Sequence, residues 1–256
     1  MSSNIWMQCG GISNLRRLKS SPWRVVESQH LISTLKLVDT LDEQRLLEEL
    51  IDRHKPALPK QPGVSQLHFL LFTPFRYPPL RHGSRFGRRD ELGIWYGSEQ
   101  LRTAFAEKAY YRFVFLSGPK VDLSPITVEQ TAFVAEVESR KAIDLSKAPF
   151  DAHRAAISSK TSYLASQTLG QAMRAEGVEV LRYTSARDVE EGTNLALLSP
   201  KAFARATPRS AQTWTCIAEQ KRVRFTEKHA LHAPSAAFSF DRSQFEVADR
   251  LPTPAL

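Results

Sequence analysis

Apolar residues recur at helical spacing over residues 41–54, where Leu41, Leu46, Leu47, Leu50 and Ile51 share one side of a 3.6-residue period. Thr40-Leu41-Asp42-Glu43 has the Ser/Thr-x-x-Glu form of a capping box, in which each side chain satisfies a backbone donor of the other residue. The pattern predicts a helix over 41–54 that ends toward Pro56 and Pro59. Residues 55–63 contain three prolines and read as a boundary, with a segment break near residue 64. Residues 1–34 show no clean period.

Beyond the break the apolar runs are shorter. Residues 67–72, stopped by Pro74, read as a buried strand, and residues 93–96 as the next one. Ser98 is placed to cap a helix from Glu99 to about Tyr111, with Leu101, Ala104 and Phe105 on its apolar side and Glu107 displaced from that stripe. Residues 133–137, 142–145, 178–183, 194–198, 213–217, 222–226 and 236–240 have strand character. A further helix is predicted over 159–175, stopped by Gly177. Strands and helices do not alternate as βαβ units, so the class is α+β. The tail, residues 250–256 with two prolines, is expected to fray.

Composition narrows the function classes. The 256 residues are 42% hydrophobic and 24% charged, which excludes a disordered chain, a collagen-like repeat and a disulfide scaffold. Cys9 and Cys216 are far apart and have no Cys-x-x-Cys partner, so neither a zinc cage nor a disulfide framework follows, and a reducing cytoplasm fits best. The N-terminal residues have no signal-peptide h-region, and no stretch approaches the roughly 18 to 20 apolar residues of a membrane span. A soluble cytoplasmic protein with no membrane role is expected.

The net charge of +8 is unevenly spread. Residues 66–118 carry 8 basic and 4 acidic side chains, half of the excess in a fifth of the chain. Arg81, Arg85, Arg88 and Arg89 with His82 cluster beside Gly83 and Gly87, as a flexible cationic loop that holds phosphates or as a merely solvated basic loop. Neither Gly-x-Gly-x-x-Gly nor a P-loop is present, and no Gly-x-Ser-x-Gly elbow supports a serine hydrolase. His229-x-x-His232 is the one close histidine pair, and Glu227 does not complete a ligand set with it, so no metal is expected.

There remain Arg76, Arg85, Tyr96, Glu107 and Ser185. They stand in the runs Phe75-Arg76-Tyr77, Gly83-Ser84-Arg85-Phe86-Gly87, Trp95-Tyr96-Gly97-Ser98, Thr103-Ala104-Phe105-Ala106-Glu107 and Tyr183-Thr184-Ser185-Ala186-Arg187, followed by Asn194-Leu195-Ala196-Leu197. In this order, over roughly residues 66–240, the chain resembles the RES domain. The resemblance implies an ADP-ribosyltransferase-like core of short mixed or antiparallel strands flanked by helices. It places the domain over 65–250, behind a helical N-terminal accessory segment of residues 1–64 that the smallest members lack. It further implies a toxin of a bacterial type II toxin–antitoxin pair that consumes NAD as substrate, with an antitoxin bearing an Xre-like or related domain as its partner. Carried over by position, Arg85, Glu107 and Ser185 match the arginine, glutamate and serine of the family's name, and Arg76 and Tyr96 match two further pocket positions.

These residue types suit that chemistry. Breaking the nicotinamide–ribose bond generates an oxocarbenium-like centre, which a carboxylate such as Glu107 stabilises electrostatically. Arginine forks such as Arg76 and Arg85 match diphosphate oxygens. Tyr96 would stack on or shape a slot for the nicotinamide ring, and Ser185 would orient a substrate oxygen or the Glu107 carboxylate. Plainer readings stand beside these: Glu107 paired with Lys108 or Arg112 on a solvated helix face, Tyr96 as a core strand aromatic, Ser185 as a cap acting through Asp188, and Arg76 in a structural ion pair. The acceptor of ADP-ribose is left open between water, phosphate and a protein, phosphoribosyl pyrophosphate synthetase being a protein acceptor the family suggests. The alternative class is a nucleic-acid-binding or RNA-cleaving module that uses residues 81–89. No helix-turn-helix or RNP motif supports it, and direct contact with nucleic acid is not expected.

Overall fold

The computed structural model describes residues 5–28, 37–58, 63–77, 79, 82–119, 121–228 and 236–253. In chain order the strands are β1 (Arg16–Ser20), β2 (Trp23–Glu27), β3 (Trp95–Ser98), β4 (Ile126–Val134), β5 (Val137–Asp144), β6 (Val180–Thr184), β7 (Thr193–Leu197), β8 (Ser210–Ala218), β9 (Arg222–Glu227) and β10 (Ala237–Asp241). The helices of eight residues or more are α1 (Leu41–His54), α2 (Phe69–Arg76), α3 (Leu101–Leu116) and α4 (Leu164–Ala175). The class is α+β, as expected.

The ten strands form one mixed sheet in the order β1-β5-β6-β7-β3-β2-β4-β8-β9-β10. Only β5 and β6 run parallel; the other neighbours are antiparallel. At its centre the sheet is barely joined, since β2 and β3 share the single pair Trp23–Ser98. On either side the pairing is full: β2 follows β4 from Trp23–Val134 to Glu27–Gln130, and β3 follows β7 from Trp95–Leu197 to Ser98–Asn194. The two half-sheets therefore part beside one contact.

Helix α3 bridges them. Its Phe105 ring lies 4.6 Å from Trp214 of β8 and 4.5 Å from Phe225 of β9, and its Ala106 and Ala109 are wholly buried, small enough to let the helix approach closely. Each such aromatic contributes about 1.5–3 kcal/mol by burial. Arg112 and Thr103 are buried too, so α3 is enclosed on most sides, which is why its apolar stripe is weak in sequence and why it runs on to Leu116 rather than ending near Tyr111.

Four local expectations change. Residues 67–72 do not form a strand: Phe69 opens helix α2, with the His68 ring accepting from the Leu70 amide at 3.3 Å and Pro74 inside the last turn. A short apolar run fits a buried strand and a buried helix equally, and here Leu71 and Phe75, four apart, face the core. Ser98 does not cap α3; it ends β3 and donates to Asn194 Oδ1 at 2.6 Å, while Gln100 occupies the cap position without a capping bond, its side-chain oxygen accepting instead from the Thr193 amide at 2.9 Å. Helix α4 starts at Leu164, later than residue 159. The N-terminal segment is not only helical, because residues 16–27 supply β1 and β2 to the common sheet. All five residues of β2 are at least partly exposed, which leaves no alternation for the sequence to display. Helix α1 matches its predicted limits, and Thr40 and Glu43 form the capping box, with the Glu43 carboxylate accepting from the Thr40 amide at 3.0 Å and Thr40 Oγ1 accepting from the Glu43 amide at 3.2 Å.

Candidate active site

Where β2 and β3 part, a cleft of about 270 Å³ opens, lined by Arg24 from β2, Tyr96 from β3, Glu107 and Lys108 from α3, and Arg85 and Tyr163 from two loops. Glu107 is held by a chain of hydrogen bonds. Its Oε1 accepts from Ser185 Oγ at 2.7 Å and from Asn194 Nδ2 at 2.6 Å. Asn194 is itself oriented by Ser98, whose hydroxyl takes the amide oxygen and leaves the amide nitrogen for the carboxylate. Both lone pairs of Oε1 are thus used, and among the described residues Oε2 makes no hydrogen bond. A carboxylate fixed by one oxygen and free at the other can meet a developing positive charge without first reorganising.

Ser185 follows β6, at the start of a turn that leads to β7. Its oxygen accepts from the Arg187 and Asp188 amides, each at 3.1 Å, and its single proton goes to Glu107. It is therefore a cap and a carboxylate positioner at once. The turn is tied to α3 through Asp188, which accepts from Thr103 Oγ1 at 2.7 Å and pairs with Arg102. Gly192 permits this closeness: a Cβ there would stand 2.0 Å from Thr103 Oγ1 and 2.9 Å from Asp188 Oδ2.

Arg85 is buried, but its guanidinium reaches the cleft. Nη1 donates to the carbonyls of Ile157 at 3.2 Å and Ser159 at 2.9 Å, and the planar group lies 4.9 Å over the Tyr163 ring. Its loop is braced rather than flexible where it is described. Gln167 Nε2 donates to the carbonyls of His82 at 3.1 Å and Ser84 at 3.0 Å, and Gly83 adopts φ +73°, with room for no Cβ against the Gly87 carbonyl at 2.3 Å. Of the expected cationic cluster only Arg85 lines the cleft; Arg88 and Arg89 do not, and Arg81 lies outside the described residues. Tyr96 completes the brace. Its hydroxyl donates to Ser84 Oγ at 2.8 Å and accepts from the Phe86 amide at 3.2 Å, and burial pushes its pKa up to about 12.

Arg85, Tyr96 and Glu107 thus line one cleft, and Ser185 is hydrogen-bonded to it through Glu107. Arg76 is absent from its lining. It ends α2, and its Nε donates to the Pro56 carbonyl. The residue that sequence reasoning missed is Arg24. Its Nη1 donates to the Tyr96 carbonyl at 2.6 Å, across the gap between β2 and β3, and its Nε is buried with no partner among the described residues. Burial lowers its pKa to about 10, although it remains charged at neutral pH. A lone arginine inside the apolar run Trp23-Arg24-Val25-Val26 was the available signal. Nor is Glu107 paired with its helix neighbours, since Arg112 pairs instead with Glu27 of β2.

Among the described residues no helix is long and apolar enough to cross a membrane, and no group of three His, Cys, Asp or Glu side chains is gathered as for a metal ion. His229 and His232 lie outside the described residues.

Comparison with known proteins adds three findings. A family model, the RES domain, matches residues 62–219. A search of curated proteins finds no match. Among solved structures the chain is similar to the crystal structure of the M. tuberculosis MbcT–MbcA toxin–antitoxin complex, with 9% identity and a TM-score of 0.48 over 82% of this chain and 91% of that one.

Proposed function

Because the chain belongs to the RES domain family, we propose that it is the toxin of a toxin–antitoxin pair and that it cleaves the nicotinamide–ribose bond of NAD in the cleft between β2 and β3. One observation carries the reading: Glu107 faces the cleft with Oε1 spent on Ser185 and Asn194, while the Arg24 and Arg85 guanidiniums line the same cavity. The carboxylate meets the sugar and the cations meet the diphosphate.

In the proposed reaction the bond between C1′ and the pyridinium nitrogen breaks heterolytically. Its electron pair leaves with nicotinamide, which becomes neutral and needs no proton. The positive charge left on C1′ and the ring oxygen is stabilised by Glu107 Oε2, and the acceptor bonds to C1′ from the other face, a neutral acceptor giving up its proton to solvent as the bond forms. Ser185 and Asn194 hold the carboxylate, Tyr96 braces the loop that carries Arg85, and the Tyr96 and Tyr163 rings supply aromatic wall for the base. ADP-ribose passes to a protein side chain, to phosphate or to water. The family points to phosphoribosyl pyrophosphate synthetase as one protein acceptor and to a cognate antitoxin with an Xre-like or related domain as the partner that restrains the enzyme. The domain proper spans residues 65–250, with residues 1–64 as an N-terminal segment.

The test is direct. Purified protein incubated with NAD releases nicotinamide, and Glu107→Gln, which keeps the hydrogen-bonding shape but loses the charge, lowers the rate by about 10² to 10³. Mass analysis of the products assigns the acceptor: free ADP-ribose, a phosphorylated ADP-ribose or a modified protein. No nicotinamide above the blank from antitoxin-free protein sinks the proposal.

A further inference from the structure

The β2 side of the cleft carries more positive charge than its carboxylates balance. Arg24 lines that wall with Nε buried and unpartnered among the described residues. Lys108, next to Glu107 on α3, lines the same cavity, and among the described residues its ammonium makes neither an ion pair nor a hydrogen bond. Arg112, one turn along α3, is buried and pairs with Glu27, leaving its own Nε unpartnered. Glu27 acts on Lys108 and Arg112 but is paired with Arg112, which does not line the cleft, and the cleft's own carboxylate, Glu107, has Oε1 taken by Ser185 and Asn194, so three cations stand against two carboxylates. Like charges four apart on a helix repel, and half-buried cations without counter-ions cost stability, so the arrangement suits a site that receives an anion.

We infer that Arg24 and Lys108 together form an anion subsite that takes phosphoryl oxygens, supplied by the diphosphate of the dinucleotide or by free inorganic phosphate. The inference rests on the reading of the cleft as an NAD site, and it divides the cations by task. Arg85 commits Nη1 to two backbone carbonyls and stacks on Tyr163, so much of its fork is held by the protein. Arg24 commits Nη1 to the Tyr96 carbonyl and keeps Nη2 without a hydrogen bond among the described residues, and Lys108 adds a compact charge with three donors.

Lys108 makes the subsite sensitive to pH. Burial and the Arg112 charge, with Arg24 adding to them and Glu27 opposing, bring its pKa down to about 8. The facing titratable group on β8, the Cys216 thiol, is pushed up to about 11 by burial and stays neutral over the same range. Glu107 and Tyr111 are the other polar neighbours on α3 that line the cleft. As pH rises through about 8 the ammonium loses its proton, and with it the subsite loses one of its two charges.

Calorimetric binding of ADP-ribose, whose diphosphate does not titrate between pH 7 and pH 9, and of inorganic phosphate at pH 7 tests this on the wild type, Lys108→Met and Lys108→Arg. With the wild type, the Kd for ADP-ribose rises about ten-fold from pH 7 to pH 9. Lys108→Met weakens binding about ten-fold or more at pH 7 and flattens the profile, whereas Lys108→Arg stays tight and flat. Loss of phosphate affinity alone in Lys108→Met assigns the subsite to the free ion. If Lys108→Met does not fold, as judged by its thermal melt, a flat Lys108→Arg profile against a sloping wild type decides. Equal affinities in all three proteins, a slope retained in Lys108→Arg, or no binding of either probe to the wild type overturns the inference. Nicotinamide release from NAD, assayed separately, keeps the two proposals apart: release without Lys108-dependent binding refutes only the subsite, and Lys108-dependent binding without release refutes only the reaction.

Discussion

Ser185 gives its only hydroxyl proton to Glu107, at 2.7 Å, while its oxygen accepts from the Arg187 and Asp188 amides. Nothing on this hydroxyl is left to attack a substrate, so in the proposed reaction its part is to hold the carboxylate. Ser185→Ala then leaves two buried amides unsatisfied and frees Glu107 to turn. The expected outcome is a loss of about 1–3 kcal/mol in stability, read from the denaturant midpoint, with nicotinamide release reduced about ten-fold but not abolished. A nucleophilic serine would lose all turnover in the same assay.

Arg24 and Arg76 separate in a pair of substitutions. Arg24→Met removes a cleft-lining guanidinium and its bond to the Tyr96 carbonyl, and the KM for NAD rises about ten-fold or more. Arg76→Met, which removes only an exposed contact to Pro56, leaves KM within about two-fold. The reverse ranking in steady-state kinetics would return Arg76 to the site.

Gly192→Ala forces a methyl group against Thr103 and Asp188, both buried and bonded to each other. Relief requires that bond to break or β7 to shift, at about 1–3 kcal/mol. Urea unfolding measures the loss, and because the same contact seats the Ser185 turn on α3, the rate of NAD cleavage falls with it.

Asp144 ties acid stability to the half-sheet that carries Asn194. Burial raises its pKa, but hydrogen bonds from Ser146 and the charge of Arg182 outweigh this and hold the folded value below the ordinary 3.8. The stabilisation is thus fully present above that ordinary value and is lost as pH falls through the lower folded one. Urea midpoints between pH 6 and pH 2.5 decline more steeply in the wild type than in Asp144→Asn; parallel curves would remove Asp144 as the source.

Much of the fold was legible where neighbours in sequence are neighbours in space. The Thr40 capping box, the stop at Gly177 with its φ of +73°, and the alternating strands that pair in sequence order from β8 to β10 all depend on local geometry. Glu107, Arg85 and Tyr96 were visible through their motifs. Arg24 and Lys108 were not, because they meet in one cleft only when β2 is threaded between β3 and β4, strands far from it in sequence. Residues 67–72 failed for a different reason, a run too short and too apolar to carry any period.

The family match begins at residue 62, after β2 has already entered the sheet between β3 and β4. A chain trimmed to that span would lack the middle rung of the ladder. The loss of β2 alone would present two raw strand edges, β3 at Tyr96 and β4 at Phe133, to any extended polypeptide nearby. The few residues around Trp23 are therefore the keystone that both opens the cleft and keeps the flanking sheets from zipping onto other molecules.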